Sequence, residues 1–263
     1  MPPESIKEEK AIYSWSNYLI CLSPLVLIIY ISSETYAIDY RSFYLAGKSF
    51  LSGLNPYLNY IHLNSDFYGP VNSELYYYSG WKYPPIATYL FAPFATLPYE
   101  ISKNIFNLLT VFIGLISLFK FIKASGRSIT PESILIVGIS FPVLATISRG
   151  QIDIILVCLA VYACYLFNQG YLLGSSALIS FLSFIKIFPI IIIINFLGKQ
   201  KRSKSFMIFF FTFVLIFILI TLLFCPFEWI SSFLERVTIP WNDIPAGSLN
   251  SLPENVGIIP DTM

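Results

Sequence analysis

Long apolar runs alternate with short polar breaks along this chain. The first run is Tyr18 to Ile31. Further runs lie at about Ile86 to Leu97, Ile105 to Ile122, Ile134 to Ile147, Ile152 to Phe167, Tyr171 to Leu197 and Phe206 to Phe224. A helix satisfies all of its backbone polar groups internally, which lipid requires of any segment that crosses it. The pattern therefore predicts an all-α, polytopic transmembrane helix bundle. Several runs are shorter than the ~20 residues of a straight span, so they read as half-spanning hairpins or as helices buried in the bundle.

Between the first two runs, Ser32 to Tyr83 carries Asp39, Arg41, Lys48, Asp66, Glu74 and Lys82 and is crowded with tyrosine. It is too polar to span and too aromatic for a disordered linker. Tyrosine at this density suits a membrane–water boundary. Within it, Asp39 to Leu51 has helical spacing of apolar residues and is stopped by Gly53-Leu54-Asn55-Pro56, which predicts a short helix lying at the interface. The organisation expected is a cytoplasmic N-terminus over residues 1–16 and a multi-helix membrane domain over 17–226. That domain includes 32–83 as a long first extracytoplasmic loop with short interfacial helices. Residues 227–263 form an outer loop or truncated tail.

The basic cluster Lys199, Lys201, Arg202 and Lys204 puts its loop in the cytoplasm by the positive-inside rule, together with Lys7 and Lys10. The long loop then faces outward, in a plasma membrane. Two topologies follow. If every run spans once, Arg149-Gly150-Gln151 is cytoplasmic. The favoured alternative makes Ile134 to Ile147 a hairpin broken at Pro142 and Tyr171 to Leu197 a hairpin with Lys186 at its tip. Gln151 and Lys186 then both face outward, and Lys186 is not stranded in lipid.

Composition agrees with the pattern: 56% of residues are hydrophobic and 12% charged, against roughly 25% charged in soluble domains, and the mean hydropathy is +0.70. The formal net charge of +1 points to no partner, and no basic tract suits nucleic acid. Cys21, Cys158, Cys164 and Cys225 all lie in apolar runs, with no CxxC and no histidine near them, so they read as small hydrophobes rather than as a disulfide framework or zinc site. No paired carboxylates demand a metal. The first run has no small-x-small cleavage site after it and reads as a helix that stays in place. Internal repeats and inverted symmetry between halves, common in transporters, are not visible.

Candidate chemistry sits at the polar breaks. Asp39, just past the outer end of the first helix, is placed to take a proton from an incoming hydroxyl; its alternative role is an N-cap. Lys186, in an apolar stretch, is a phosphate partner or a lysine snorkelling to the interface. Arg149 and Gln151 flank Gly150, with Asp153 just beyond; they line a cavity, or form a polar turn with Arg149 paired to Asp153. Tyr83, before Pro84-Pro85, lines a glycan groove or anchors a helix start. His62, Asp66 and Glu74 assist binding or are solvated.

Asp39-Tyr40-Arg41-Ser42-Phe43-Tyr44-Leu45-Ala46, followed by Gly53-Leu54-Asn55-Pro56-Tyr57, resembles the first outer loop of glycosyltransferase family 87. That family consists of polyprenyl-phosphate-sugar-dependent enzymes, including α-1,2-mannosyltransferases of phosphatidylinositol mannoside synthesis. Lys82-Tyr83-Pro84-Pro85, with Pro93 and Leu97-Pro98, is similar to its next motif. Gly150-Gln151-Ile152-Asp153 resembles its GQ-x-[ND] motif. Lys186-Ile187-Phe188-Pro189 resembles its K-P-x-P motif, with Ile187 in place of the first proline. The likeness runs from about Tyr18 to Phe224.

The resemblance implies the GT-C fold and an inverting transfer of a hexose, mannose by analogy, to a lipid or glycan acceptor at the outer face. Asp39 would be the catalytic base, and Arg41, Tyr44, Tyr83, Arg149, Gln151, Asp153 and Lys186 the substrate-binding residues. No cofactor is implied; the lipid-linked sugar is a substrate, and the partners are that donor, the acceptor and membrane lipids. Family members usually continue with more spanning helices, so this chain is expected to be a fragment, a truncated product or a shorter bundle. Two other classes stand against the enzyme: a transporter or flippase, and a non-catalytic membrane subunit.

Overall fold

The computed structural model describes residues 19–20, 22–35, 37–58, 81–124, 130–196 and 200–238. His62, Asp66 and Glu74, and the termini before residue 19 and after residue 238, lie outside them. Among the described residues the chain is all-helical, without strand. In chain order the helices are α1 (Leu22–Glu34), α2 (Ile38–Leu51), a 3-10 turn (Pro85–Ala87), α3 (Thr88–Ala95), α4 (Tyr99–Ala124), α5 (Pro131–Gly138), α6 (Phe141–Arg149), α7 (Asp153–Gln169) and α8 (Leu172–Ile185). A 3-10 helix (Phe188–Phe196), α9 (Gln200–Phe224) and α10 (Phe227–Thr238) complete it. Among the described residues two segments are long and apolar enough to cross a bilayer, Tyr99–Ser117 in α4 and Ser203–Phe224 in α9. The outer surface of α9 is apolar and exposed at Ile208, Phe211, Leu215, Leu222 and Leu223.

Side-chain contacts give the direction of each pass. Near the end of α1, Ser32 donates to Asn104 on α4 at 2.8 Å, and Asn107 donates to Ser32 at 2.8 Å. We call this end of the bundle the head. From the head α4 runs away. A Cβ on Gly138, at the end of α5, would fall 2.5 Å from Pro24, near the start of α1. Asn107 also reaches the carbonyl of Ile147 on α6 at 3.4 Å. Helices α5 and α6 therefore climb back to the head as one broken pass. Then α7 descends and α8 returns, tied to α7 by Ser175 on the Ala163 carbonyl and to α9 by Ser180 on the Phe210 carbonyl. Such hydroxyl bridges let helices approach closely. The 3-10 helix descends again until Phe196 stacks on Phe167 at 4.1 Å. Finally α9 climbs to Phe224, whose carbonyl accepts from Tyr89 of α3.

Several expectations need correction. The helix of the first run continues through Ser32-Ser33 to Glu34, so the long loop starts later than Ser32. The run Ile86 to Leu97 is not a pass: α3 has 8 residues and packs alongside α2, where Tyr89 meets Phe50 at 4.2 Å and Phe91 stacks on Phe43 at 4.6 Å. Residues 134–147 are not a hairpin broken at Pro142; the break falls at Ile139-Ser140, and both pieces travel the same way. The physical reason is local. A proline takes the hydrogen bond away from the carbonyl four residues earlier and its ring collides with it. Gly138, where α5 ends, is four residues before Pro142. Ile185, where α8 ends, is four residues before Pro189. Gln151 and Lys186 still reach the same end of the bundle, because one expected pass is missing rather than because residues 134–147 turn back.

Residues 227–238, read as loop or tail, form α10. Asn55 donates to Ser232 at 3.0 Å and Trp229 meets Phe50 edge-on, so α10 closes the head beside the C-terminal end of α2.

Candidate active site at the head of the bundle

Helix α2 begins just beyond α1 and is buried on nearly every side from Tyr40 to Gly47. Tyr40 is fully buried. Its hydroxyl bonds to Ser102, and its ring packs 4.8 Å from Phe106 and 5.8 Å from Tyr99. Aromatic pairs of this kind add ~0.5–1.5 kcal/mol each beyond the area they bury, so α2 is a rigid mount. Its N-cap is Ala37, in left-handed geometry, and not Asp39. Asp39 falls in the first turn, and its carboxylate turns toward α6 instead of capping the helix.

There it meets the α6–α7 connection. Arg149 donates from Nε to Asp39 Oδ2 at 2.7 Å and from Nη2 to Oδ1 at 3.3 Å. Gln151 Nε2 donates to the same Oδ2 at 2.7 Å. Arg149 and Gln151 can flank one carboxylate because Gly150 between them has φ +65° and backs directly onto α2; a Cβ there would fall 2.4 Å from Tyr40 Cβ and 3.1 Å from Ala37 Cβ. Glycine takes a positive φ without steric cost, and here there is no room for anything larger.

The proposed turn pair of Arg149 with Asp153 does not form. Asp153, in the first turn of α7, takes Lys186 Nζ at 2.5 Å. Lys186 does not snorkel away. It has left α8 in extended geometry and is half-buried against this carboxylate. Arg149 and Lys186 differ in freedom: the Arg149 side chain is 55% exposed, the Lys186 side chain 35%.

Tyr83 lies between the two ion pairs. Its ring packs 5.2 Å from Phe43, and burial, then the charges of Asp153 and Asp39, push its hydroxyl above the ordinary tyrosine range. Its carbonyl accepts from Tyr57 at 2.5 Å. Beside it, the surrounding protein and then the Arg236 guanidinium lower Lys82 below the ordinary lysine range, with Asp39 opposing and Arg149 and Lys186 adding smaller contributions.

Of the expected residues, Asp39, Tyr83, Arg149, Gln151, Asp153 and Lys186 converge at the head. Arg41 and Tyr44 do not join them. Arg41 is buried, and the Tyr44 hydroxyl donates to the Leu97 carbonyl at 2.9 Å, which ties α2 to the segment before α4. Arg236 was missed by the sequence reading, and Lys82 entered it as a loop charge and as the first residue of the Lys82-Tyr83-Pro84-Pro85 motif. The spacing of Trp229, Phe233 and Arg236 on one helical face was the available signal. Among the described residues no cluster of three or more His, Cys, Asp or Glu could hold a metal ion.

The two ion pairs, the amide and the tyrosine form a polar floor able to hold an anion and to accept a hydroxyl proton. No curated protein and no solved structure matches the chain. The model of Glycosyltransferase family 87 matches residues 81–258, a segment that carries Tyr83, Arg149, Gln151, Asp153 and Lys186 and leaves Asp39 outside. With that match spanning more than half of the sequence, the chain belongs to glycosyltransferase family 87.

Proposed function

We propose that this protein is a polytopic, GT-C-like inverting hexosyltransferase of the plasma membrane. In this reading it moves a hexose, mannose by family analogy, from polyprenyl phosphate to a lipid or glycan acceptor at the extracytoplasmic face. The membrane domain covers 17–226, the head faces outward, and no cofactor takes part. The observation that carries the reading is the carboxylate of Asp39. It is 15% exposed, fixed on a rigid helix and gathered with Arg149, Gln151, Tyr83, Asp153 and Lys186.

In the proposed single displacement, the acceptor hydroxyl gives its proton to Asp39 and its oxygen attacks the anomeric carbon. The bond from that carbon to the phosphate oxygen breaks and polyprenyl phosphate leaves, so the anomeric configuration inverts. Asp39 has first to be released by Arg149, whose side chain, 55% exposed, would turn to the phosphate. There Arg149 and Lys186 would offset the negative charge that grows on the leaving group, usually the largest contribution to catalysis. Gln151 stays on Asp39 and aims it.

The test is transfer from a polyprenyl-phosphate-hexose by the full chain in lipid nanodiscs, with Asp39→Asn alongside. Loss of a general base slows transfer by roughly 10²–10⁴-fold. Undiminished transfer by a folded Asp39→Asn protein removes Asp39 from the mechanism, and flux of an unmodified solute without transfer favours a transporter.

A further inference from the structure

Helix α10 takes no part in this mechanism, and its surface divides into three sides. Successive residues of an α-helix turn by about 100°. One side then carries Trp229, Ser232 and Phe233, which dock on the head: Trp229 meets Phe50 edge-on, Ser232 accepts from Asn55, and Phe233 packs 6.0 Å from Tyr57. A second side carries Glu228, Ser231 and Glu235, all exposed. The third is an apolar stripe, Phe227, Ile230, Leu234 and Val237. Ile230 is half-buried, whereas Phe227, Leu234 and Val237 are left 80%, 55% and 62% exposed. Carboxylates belong in water. An apolar stripe of three turns is stabilised only by leaving it.

The position of α10 says which apolar medium covers the stripe. The apolar segment of α9, Ser203–Phe224, has 22 residues. At ~1.5 Å each it covers about 33 Å, close to the ~30 Å of a bilayer's hydrocarbon layer. Helix α10 therefore starts where the hydrocarbon ends. Only Cys225 and Pro226 separate the two helices, and the exposed apolar tip of α9, Leu223 and Phe224, runs directly into Phe227. Pro226 has no N–H with which to continue the ladder of α9. A helix continued straight on from α9 would carry Leu234 and Val237 into water; a helix turned at Pro226 and held against Asn55 and Tyr57 keeps them beside the lipid.

We infer that α10 lies in the bilayer surface at the head, with Phe227, Ile230, Leu234 and Val237 seated among the acyl chains of that leaflet, the arrangement of an interfacial amphipathic helix. The partner is the lipid leaflet itself. This seat holds the head level with the lipid headgroups, the layer in which a lipid-linked phosphate travels. The inference rests on α9 as a membrane span and not on the transfer reaction proposed above.

The test is spin labelling of the full chain in phosphatidylcholine nanodiscs. Cys21, Cys158, Cys164 and Cys225 are replaced by alanine, and single cysteines are placed by Phe227→Cys, Leu234→Cys, Val237→Cys, Glu228→Cys, Ser231→Cys and Glu235→Cys. Collisions with oxygen, which concentrates in lipid, should exceed collisions with a water-soluble nickel chelate at the first three positions, and the order should reverse at the other three. Chelate-dominated collisions at all six positions overturn the proposal. So does shielding of the first three from both reagents, which a second protein copy seated on the stripe would give. A second measurement keeps the native cysteines. Leu234→Glu puts a charge into lipid and should lower the thermal midpoint in nanodiscs below that of Ser231→Glu; equal midpoints overturn the proposal. Neither readout uses sugar transfer, so this accessibility pattern in a protein that transfers no sugar would keep the lipid seat and remove the hexosyltransferase reading instead.

Discussion

Replacing Gly150 by alanine tests the central geometric claim, that the α6–α7 connection is pressed onto α2 in order to aim Arg149 and Gln151. Two costs add there. An L-residue in the left-handed region costs roughly 1–2 kcal/mol, and Gly150 has φ +65°. The new Cβ would also fall 2.4 Å from Tyr40 Cβ, whereas carbon atoms rest at ~3.5–4.0 Å, so the connection must retreat by about 1 Å or more. Tyr40 cannot yield, since its ring is locked by Ser102, Tyr99 and Phe106. Overpacking of this kind costs roughly 1–3 kcal/mol, which brings the total to about 2–5 kcal/mol.

Gly170 supplies the control. It ends α7 with φ +90° and nothing lies within 4 Å of its would-be Cβ, so Gly170→Ala should carry only the backbone cost, about 1–2 kcal/mol. Thermal unfolding of the three proteins, followed by tryptophan fluorescence in one detergent, is expected to rank wild type above Gly170→Ala above Gly150→Ala. Transfer activity should separate them further. A displacement of about 1 Å at a positioning group can cost on the order of 10²-fold in rate, so Gly150→Ala should be slowed by that order at a temperature where it remains folded. Gly170→Ala, at the far end of the bundle, should keep wild-type rates. Equal midpoints for the two variants, or wild-type activity in Gly150→Ala, would refute the close approach as the source of the site's geometry.

Other predictions follow from the same contacts. Asn107→Leu removes the donor that links Ser32 of α1 to the Ile147 carbonyl, two residues before Arg149. It should lower stability by about 1–2 kcal/mol in denaturant titration and reduce transfer, while Asn107→Gln keeps part of both. Lys82 has a depressed folded-state pKa against the ordinary 10.5. The unfolded chain therefore holds this proton where the folded protein has released it, and wild-type stability should gain as pH rises through that window toward 10.5. Lys82→Gln should be slightly more stable than wild type at neutral pH, the effect being small because the Lys82 side chain is exposed and screened by solvent, with the advantage fading through that window; a midpoint difference that stays constant from neutral pH to 10.5 would assign the stabilisation to something other than this charge.

Much of the local structure was legible in the residues. Long apolar runs with few charges read as helices, and α4, α7 and α9 lie where the runs are. Proline in 186–189 marks the end of α8 because the missing N–H acts within one turn. The helix at Asp39 to Leu51, the stop at Gly53 and the pairing of chemistry with polar breaks were all visible from spacing alone. The same local logic misplaced the break near Pro142 by a few residues, since the proline disrupts the turn before it and not its own position.

What the bundle alone decided is which groups meet. Asp39, Arg149 and Asp153 each had a plausible neighbour in sequence, a helix N-terminus or one another. The observed pairs, Arg149 with Asp39 and Lys186 with Asp153, cross 110 and 33 positions. Pair formation at that separation depends on how many passes intervene, and this turned on Ile86 to Leu97. An apolar run of that length reads the same whether it crosses lipid or packs alongside α2, because hydrophobicity reports burial and not what does the burying. Helix α10 was hidden for the related reason that an amphipathic helix shows one polar and one apolar face, but only its docking on Asn55 and Tyr57 reveals which face is turned to the head.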